Sequence, residues 1–281
     1  MRLIITGGHG QLGTTFAAIG TTECKHEIIA LGRDELDILD HHKTRSVIHY
    51  YRPDAVVHTA AIIDPDIAVL KSDATWQLNV VASGNIAAVC QSIQAKLVYI
   101  STDYVYDGCS TGFYRETAAT NPINHYGYCK LAGEQASFDF CRQAFAVRIG
   151  LLYGNKLNVI NKAVIAARAG ETIRAVTDQI CSPTYTFDLA EAVLNLLASD
   201  KFGVYHIANQ GCTSRYGLIC ETLRLAGIDA SVKPLTADEL SRPAKRPANT
   251  ALDCQKLTTA CGYKMRPWQD ALQEYLLKLA L

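Results

Sequence analysis

Gly7-Gly8-His9-Gly10-Gln11-Leu12-Gly13 follows directly on the apolar run Leu3-Ile4-Ile5-Thr6 and opens onto a helical stretch, Gln11–Ile19. A strand that turns through glycines into a helix is suited to receive a pyrophosphate. Glycine permits the tight turn and leaves room for the phosphates. The helix N-terminus adds N–H groups and the positive end of a dipole. The GxxGxxG spacing is a weak sign on its own, but its place between strand and helix is the context it requires. Gly7, Gly10, Gln11, Leu12 and Gly13 are therefore read as a dinucleotide site.

The alternation continues through the first half of the chain. Strands are expected at Leu3–Thr6, Glu27–Leu31, Ala55–Thr59, Leu97–Ser101 and Ala144–Ile149. They are short and rich in Ile and Val, as a sheet buried on both faces requires. Helices are expected between them, at Gln11–Ile19, His41–Tyr51, Ala74–Gln94 and Tyr126–Cys141. This order predicts right-handed βαβ units and a doubly wound parallel sheet, an α/β fold of Rossmann type. After Gly150 the pattern loosens. Asp188–Ala198 and Arg215–Ala226 read as helices, Val204–Ile207 as a strand, and Pro234–Thr250 as a loop-rich surface element. A closing helix presents Trp268, Leu272, Tyr275, Leu276 and Leu279 on one face. The expected organisation is a nucleotide-binding domain over residues 1–150, to which 178–208 returns. Residues 151–177 and 209–281 then form a smaller C-terminal substrate-binding lobe.

Composition narrows the function classes. The 281 residues are 49% hydrophobic, enough for one large core. Lys plus Arg equals Asp plus Glu at 27 each, with no basic stripe, so nucleic acid is not an expected partner. No apolar run is long enough to span a bilayer, and Met1-Arg-Leu-Ile-Ile-Thr-Gly7 reads as a strand and turn rather than a signal peptide. A cytoplasmic protein without a membrane partner is the expectation. The ten cysteines include no CxxC pair, which points to reduced thiols and no metal. Cys129 is read as filling a helix position.

Tyr126 and Lys130 stand four residues apart and share a helix face, whereas Tyr128 faces elsewhere. A phenol titrates near pH ~10 and is a poor acid–base catalyst at neutral pH; a nearby ammonium favours the phenolate and lowers that value. A hydroxyl from Ser101 or Thr102 is placed to hold a substrate oxygen beside the phenol. With a dinucleotide as hydride source, these are the parts of a carbonyl reductase or alcohol dehydrogenase. Arg33, after the second strand, suits the 2′-phosphate of NADPH, with NADH also possible. Asp37 and Ile38 are assigned to the adenine, and Ala60 and Ala61 to a close passage of the cofactor backbone. His58 is read as a packed strand residue.

Further segments carry a resemblance. They are Leu36-Asp37-Ile38, Ser101-Thr102-Asp103-Tyr104-Val105-Tyr106-Asp107-Gly108, Tyr126-Gly-Tyr-Cys-Lys130-Leu-Ala-Gly-Glu134, Asp178-Gln179-Ile-Cys-Ser-Pro183-Thr184 and Arg246-Pro247-Ala-Asn-Thr-Ala-Leu252-Asp253. With the glycine turn, they make the chain resemble the extended short-chain dehydrogenase/reductases, and within them the dTDP-4-dehydrorhamnose reductase family, over nearly its whole length. The resemblance implies hydride transfer from NADPH to the C4 ketone of a nucleotide-linked 6-deoxy-4-keto sugar. Tyr126 protonates the developing alkoxide, Lys130 holds the nicotinamide ribose and lowers the Tyr pKa, and Thr102 donates to the ketone oxygen. Asp103 and Tyr104, with Thr102 and Tyr126, line the sugar pocket, and Asn79 supports the site through backbone or water contacts. A homodimer is the assembly considered. The chain departs from the family pattern at Ile63, where a Thr is expected, at Asp66-Ile67, where an Asp-Lys pair is expected, and at Leu151, in place of a Trp. Two alternatives stay open. One is another nucleotide-sugar 4-ketoreductase; the other is a non-catalytic NADP-binding regulatory subunit similar to the methionine adenosyltransferase β subunit.

Overall fold

The computed structural model describes residues 1–23 and 26–279; Cys24 lies outside the described residues. Five strands form the spine: β1 (Arg2–Thr6), β2 (Glu27–Leu31), β3 (Ala55–His58), β4 (Lys96–Ile100) and β5 (Ala144–Arg148). With the strand Gly203–His206 they make a six-stranded sheet in the order β2-β1-β3-β4-β5 and then 203–206. Every neighbouring pair is parallel. Even-numbered residues of β1 and odd-numbered ones face opposite sides, and both sides are packed. Leu3, Ile5, Val57 and Val147 meet Leu12, Phe16, Leu189 and Val193 on one side. Ile4, Val56 and Leu97 meet Ile48, Ile86 and Cys90 on the other. Two covered faces explain why these strands read as unbroken apolar runs.

The register sets where ligands can bind. Thr6 pairs with Leu31 in β2 and with His58 in β3, so the three strands end level. The loops starting at Gly7, Gly32 and Thr59 therefore leave the sheet side by side. The chain steps from β1 outward to β2, then crosses to the far side of β1 to form β3. The winding reverses between β1 and β3, and a crevice opens at the carboxyl ends of strands at such a reversal.

Later residues build short paired strands beyond that edge. Leu151–Tyr153 lies parallel to Pro183–Tyr185, and Ile173–Val176 parallel to Val232–Leu235. Ile180–Cys181 pairs with both Thr213–Ser214 and Asn249–Thr250. The expected loop Pro234–Thr250 is thus mostly irregular but contributes to strands at both ends. The closing helix, Trp268–Lys278, packs Trp268, Leu272, Tyr275 and Leu276 against Tyr153 and Tyr185.

Two of the differences from the sequence expectation bear on the site. The helix expected over Ala74–Gln94 is interrupted: Ser72–Trp76 and Ala82–Ser92 are joined by a π turn, Gln77–Val81. The interruption turns Asn79 inward, where Oδ1 accepts from the Ile62 N–H and Nδ2 donates to the Ile62 carbonyl, each at 2.9 Å. A short helix, Pro65–Leu70, was not expected. Proline opens it, and the Asp64 side chain accepts from the Asp66 and Ile67 N–H groups.

The helix His125–Phe140 crosses the ends of β4 and β5 and is fastened by one buried carboxylate. Arg148 reaches Glu134 through Nε at 2.9 Å and through a terminal nitrogen at 2.7 Å. Ser101 donates to the same carboxylate. Arg148 also donates to the Tyr106 hydroxyl at 2.8 Å, which lies 2.7 Å from His206 Nε2. Both members of the ion pair are about 5% exposed or less. Removing one member of such a pair strands the other charge in a dry site, at a cost of about 3–5 kcal/mol. Glu134→Ala is expected to lose stability in that range in urea unfolding. A loss below about 1 kcal/mol, the size typical of an exposed pair, would show that water reaches Arg148.

Candidate active site

A cleft of about 590 Å³ runs along the carboxyl ends of β1, β2 and β3, lined by Gly7, Gly10, Gln11, Leu12, Arg33, Asp37, Ile38, Ala60, Ala61, Tyr126 and Lys130. These belong to the residues the sequence assigned to the cofactor. Gly7 has φ +69°, and a Cβ there would sit 2.9 Å from the Ala60 backbone. The turn can pass Ala60 closely only without a side chain. Gly13 lies beneath the turn instead of lining the cleft; a Cβ on it would enter the Gly7 carbonyl and the Gly8 backbone. It sets how closely the helix Gln11–Glu23 seats under the loop. With its amide oriented to suit its neighbours, the Gln11 oxygen accepts from the Gly154 N–H at 2.8 Å and the Tyr153 N–H at 3.2 Å. Gln11 therefore ties the cleft floor to the segment after β5. The glycine cradle and the helix end fit a dinucleotide pyrophosphate.

At the β2 end, the Arg33 side chain is 83% exposed and lies 3.8 Å from Asp37. An exposed pair at that separation holds the guanidinium weakly, so it can turn to a ligand phosphate. Asp37 Oδ1 accepts from the Leu39 N–H, and Ile38 is buried in the core beside it. Glu35 accepts from the Gly32 N–H at 2.8 Å.

At the other end, Tyr126 and Lys130 are both buried, while Tyr128 is 53% exposed and stacks on Trp76. Asn124 caps this helix by accepting from the Gly127 N–H at 2.8 Å. A Cβ on Gly127 would enter the Tyr104 carbonyl, so the glycine between the two tyrosines lets the helix approach the loop after β4. Lys130 Nζ stands 4.0 Å over the Tyr99 ring. Burial lowers the Lys130 ammonium to about 7, with Glu134 acting against that shift. Burial pushes the Tyr126 phenol well above its ordinary value, a hydrogen bond with Thr102 opposing and Asp103 and Tyr104 adding to the rise. The sequence led us to expect a phenol lowered by its ammonium. In the structure desolvation of the phenol wins, and Tyr126 stays protonated at neutral pH, the form a proton donor needs.

His58 is buried between Thr6 Oγ1, at 2.7 Å from Nδ1, and Ser83 Oγ, at 3.0 Å from Nε2. Burial and then the Lys130 charge hold it down to about 3, so it stays neutral and structural. Cys129 lies 3.3 Å from His125 Nε2, and burial raises its thiol to about 11. The nine described cysteines are all free.

A second cavity of about 250 Å³ adjoins the first. Thr102, Asp103, Tyr104 and Tyr126 line it, with Leu151, Gln179, Cys181, Arg215 and Thr250 opposite. Tyr126, Ile63, Ile149 and Leu152 line both spaces. The Tyr104 and Tyr126 rings meet edge to face at 5.9 Å. Arg215 carries no local spacing signal and was not anticipated. Gln179, Cys181 and Thr250 stood in motifs but were given no role. Asp66 pairs bidentately with Arg246 at 2.6 and 2.7 Å, and Arg246 holds the carboxyl down to about 2. That pair fastens the Arg246-Pro247 segment to the helix Pro65–Leu70.

Comparison with known proteins agrees with this layout. The family model described as the RmlD substrate binding domain matches residues 1–281. A dTDP-4-keto-6-deoxy-D-glucose reductase of Streptomyces niveus is 36% identical over 278 residues, covering 97% of this chain and 96% of that protein. The crystal structure of a dTDP-4-dehydrorhamnose reductase from Clostridium acetobutylicum superposes with a TM-score of 0.95 at 32% identity, covering 100% of both chains. That of a dTDP-4-dehydrorhamnose reductase from Bacillus anthracis, in complex with NADP, gives 0.93 at 31% identity over 99% of this chain and 98% of that one. With its level-ended parallel sheet, glycine cradle and buried Tyr126–Lys130 pair, the chain belongs to the dTDP-4-dehydrorhamnose reductase family of the extended short-chain dehydrogenase/reductases.

Proposed function

We propose that this chain is an oxidoreductase that reduces the C4 ketone of a nucleotide-linked 6-deoxy-4-keto sugar, foremost dTDP-4-dehydro-L-rhamnose to dTDP-L-rhamnose, using NADPH and accepting NADH. The observation that carries the reading is that Tyr126, a buried and protonated phenol, forms part of the wall of both cavities. A proton donor at that junction serves a carbonyl in one space facing a reductant in the other.

The cofactor, when bound, supplies the hydride. Tyr126 gives its proton to the oxygen as negative charge develops there, and Thr102 donates a hydrogen bond to the same oxygen. Lys130, on the helix face of Tyr126, holds the ribose and keeps a positive charge near the phenol as it loses its proton. Gly7, Gly10, Leu12 and Gly13 shape the pyrophosphate cradle, Ala60 and Ala61 let it pass, and Arg33 takes the 2′-phosphate. Tyr104 and Gln179 hold the sugar, and Asp103 stands beside Thr102 on the same wall. Residues 1–150 with 178–208 make the cofactor domain, and 151–177 with 209–281 make most of the substrate lobe. The reading includes a cytoplasmic homodimer, which light scattering tests.

A related 4-ketoreductase acting on a different deoxysugar is the second reading. It is favoured by Ile63 and Leu151, which set apolar side chains on the wall of the second cavity. Incubation with NADPH and dTDP-4-keto-6-deoxysugars, with identification of the product, separates the two. An absence of oxidation with every sugar would favour the regulatory-subunit alternative.

Tyr126→Phe is expected to lower kcat by about 10²–10⁴-fold, the range for one general acid, with little change in NADPH affinity. Near-wild-type turnover would exclude Tyr126 as the donor. Arg33→Asp places a carboxylate where a phosphate is to bind. The ratio of kcat/KM for NADPH over NADH is expected to fall by at least about tenfold, equal to roughly 1.4 kcal/mol. An unchanged ratio would make Arg33 a solvated side chain.

A further inference from the structure

Thr102 has one hydroxyl proton, and an ionised Asp103 would draw it away from the second cavity. Its Oγ1 lies 3.0 Å from Asp103 Oδ1 and accepts the Tyr104 N–H at 3.3 Å. It also contacts the Tyr126 phenol. The other Asp103 oxygen accepts from Thr250 Oγ1, which lies 3.3 Å from the Ile180 carbonyl as well. Asp103 is 4% exposed.

The proposed reaction needs the same Thr102 proton at the ketone oxygen. An ionised carboxylate is acceptor only. It would keep the Thr102 hydroxyl turned inward and leave the ketone one donor short. A neutral carboxyl protonated on Oδ1 reverses the chain: Asp103 donates to Thr102, Thr102 donates to the ketone, and Oδ2 still accepts from Thr250. We propose that Asp103 is a positioning residue that works as a neutral carboxylic acid, donating to Thr102 and so turning the Thr102 hydroxyl toward the substrate ketone. This rests on the reductase reading. No proton leaves Asp103 in turnover; the carbonyl π bond breaks as hydride reaches carbon, and the proton that reaches oxygen is that of Tyr126.

The surroundings favour the neutral form. The titratable or charged groups facing Asp103 are Tyr104 beside it, Tyr126 from the helix His125–Phe140, Cys181 from the strand Ile180–Cys181, and Arg215 from the helix Arg215–Leu225. Of these only Arg215 favours ionisation. Burial raises the carboxyl to about 6, ahead of the opposing hydrogen bonds from Thr250 and Thr102. A raised carboxyl is neutral below its pKa, so the chemical step should slow as pH rises through that value.

The test is single-turnover NADPH oxidation with dTDP-4-keto-6-deoxysugar between about pH 5 and pH 9, spanning the Asp103 titration. The wild type should lose rate on the alkaline side. In Asp103→Asn the amide nitrogen can donate to Thr102 and the oxygen can accept from Thr250, as in the neutral acid. Lys130, held down to about 7, sets an alkaline limb of its own in both proteins, so that variant should lose only the Asp103 part and outpace the wild type above about pH 8. Thr250→Val removes a bond that favours ionisation, so its limb should move to higher pH; a purely structural role would not move it. An Asp103→Asn rate that does not exceed the wild type's above about pH 8 overturns the proposal. So does a loss beyond about 100-fold in a variant that still binds NADPH, the cost of an absent donor. If Asp103→Asn does not fold, an unshifted limb in Thr250→Val overturns it. A wild type that is inactive with every sugar overturns the reductase reading and this inference together, whereas an active one with a flat profile overturns this inference alone.

Discussion

The Glu134 carboxylate is the fastening on which the site depends. It accepts from Ser101 at the end of β4 and from Arg148 at the end of β5, while standing one helical turn past Lys130. Three elements remote in sequence are thus held at one point. Tyr126, Lys130 and Glu134 are spaced four residues apart, so fixing Glu134 fixes the rotation of the whole helix face. Rotating that helix would carry the phenol out of the junction and leave Arg148 buried without its partner. Gly133 permits the contact: a side chain there would enter the Tyr99 hydroxyl and the Asn79 carbonyl. The π turn that carries Asn79 is packed through the same gap. Asn79 in turn holds Ile62, so the loop after β3 is placed by the helix that carries the phenol.

Around that fastening the site is dry, and dryness decides the protonation states. His58, Asp103, Tyr126 and Lys130 are all 8% exposed or less. Burial is the first cause of every shift among them, toward the neutral form in each case. A neutral phenol can donate, and a neutral imidazole leaves Lys130 as the nearby cation. Lys130 is the one group for which neutrality would be a fault, and Glu134 is the charge that opposes it. The carboxylate that locks the helix therefore also favours the charge on its lysine. The same desolvation strengthens each polar contact to a developing alkoxide.

Features that depend on neighbours in the chain could be read from the sequence, and those that depend on meetings across the fold could not. The glycine turn, the paired Tyr126 and Lys130, and the five spine strands are local patterns. Their strand ends were placed to within a residue because apolar runs stop where the sheet does. The π turn was missed because an apolar helical period does not show one extra residue in a turn. The side chain it turns inward, Asn79, bonds the backbone of Ile62, 17 residues away. Arg215 and Thr250 reach the second cavity from segments far along the chain. The expected influence of Lys130 on the phenol failed for a related reason. Helical spacing places a charge, but only the packing of β4, β5 and the loop after β3 shows how much water has gone.

The departures from the family pattern acquire a physical meaning in this setting. Where a lysine is expected after Asp66 the chain has Ile67, yet Asp66 is not left unpaired, because Arg246 grips it from 180 residues away. The helix Pro65–Leu70 is thereby tied to the segment that forms the far wall of the second cavity. The side chains of Ile63 and Leu151, which also line the second cavity, offer nothing to a sugar hydroxyl. A hydroxyl buried against them loses its water without a replacement, at a cost of about 1–3 kcal/mol, whereas a hydrogen or methyl there loses nothing. A factor of ten in selectivity corresponds to about 1.4 kcal/mol, so one such contact is enough to rank two deoxysugars. Under the proposed reading, selection at these side chains works by rejecting a hydroxyl, while Thr102 and Tyr126 serve the ketone. Sugar choice would then change at Ile63 and Leu151 without disturbing the donors proposed for the reduction.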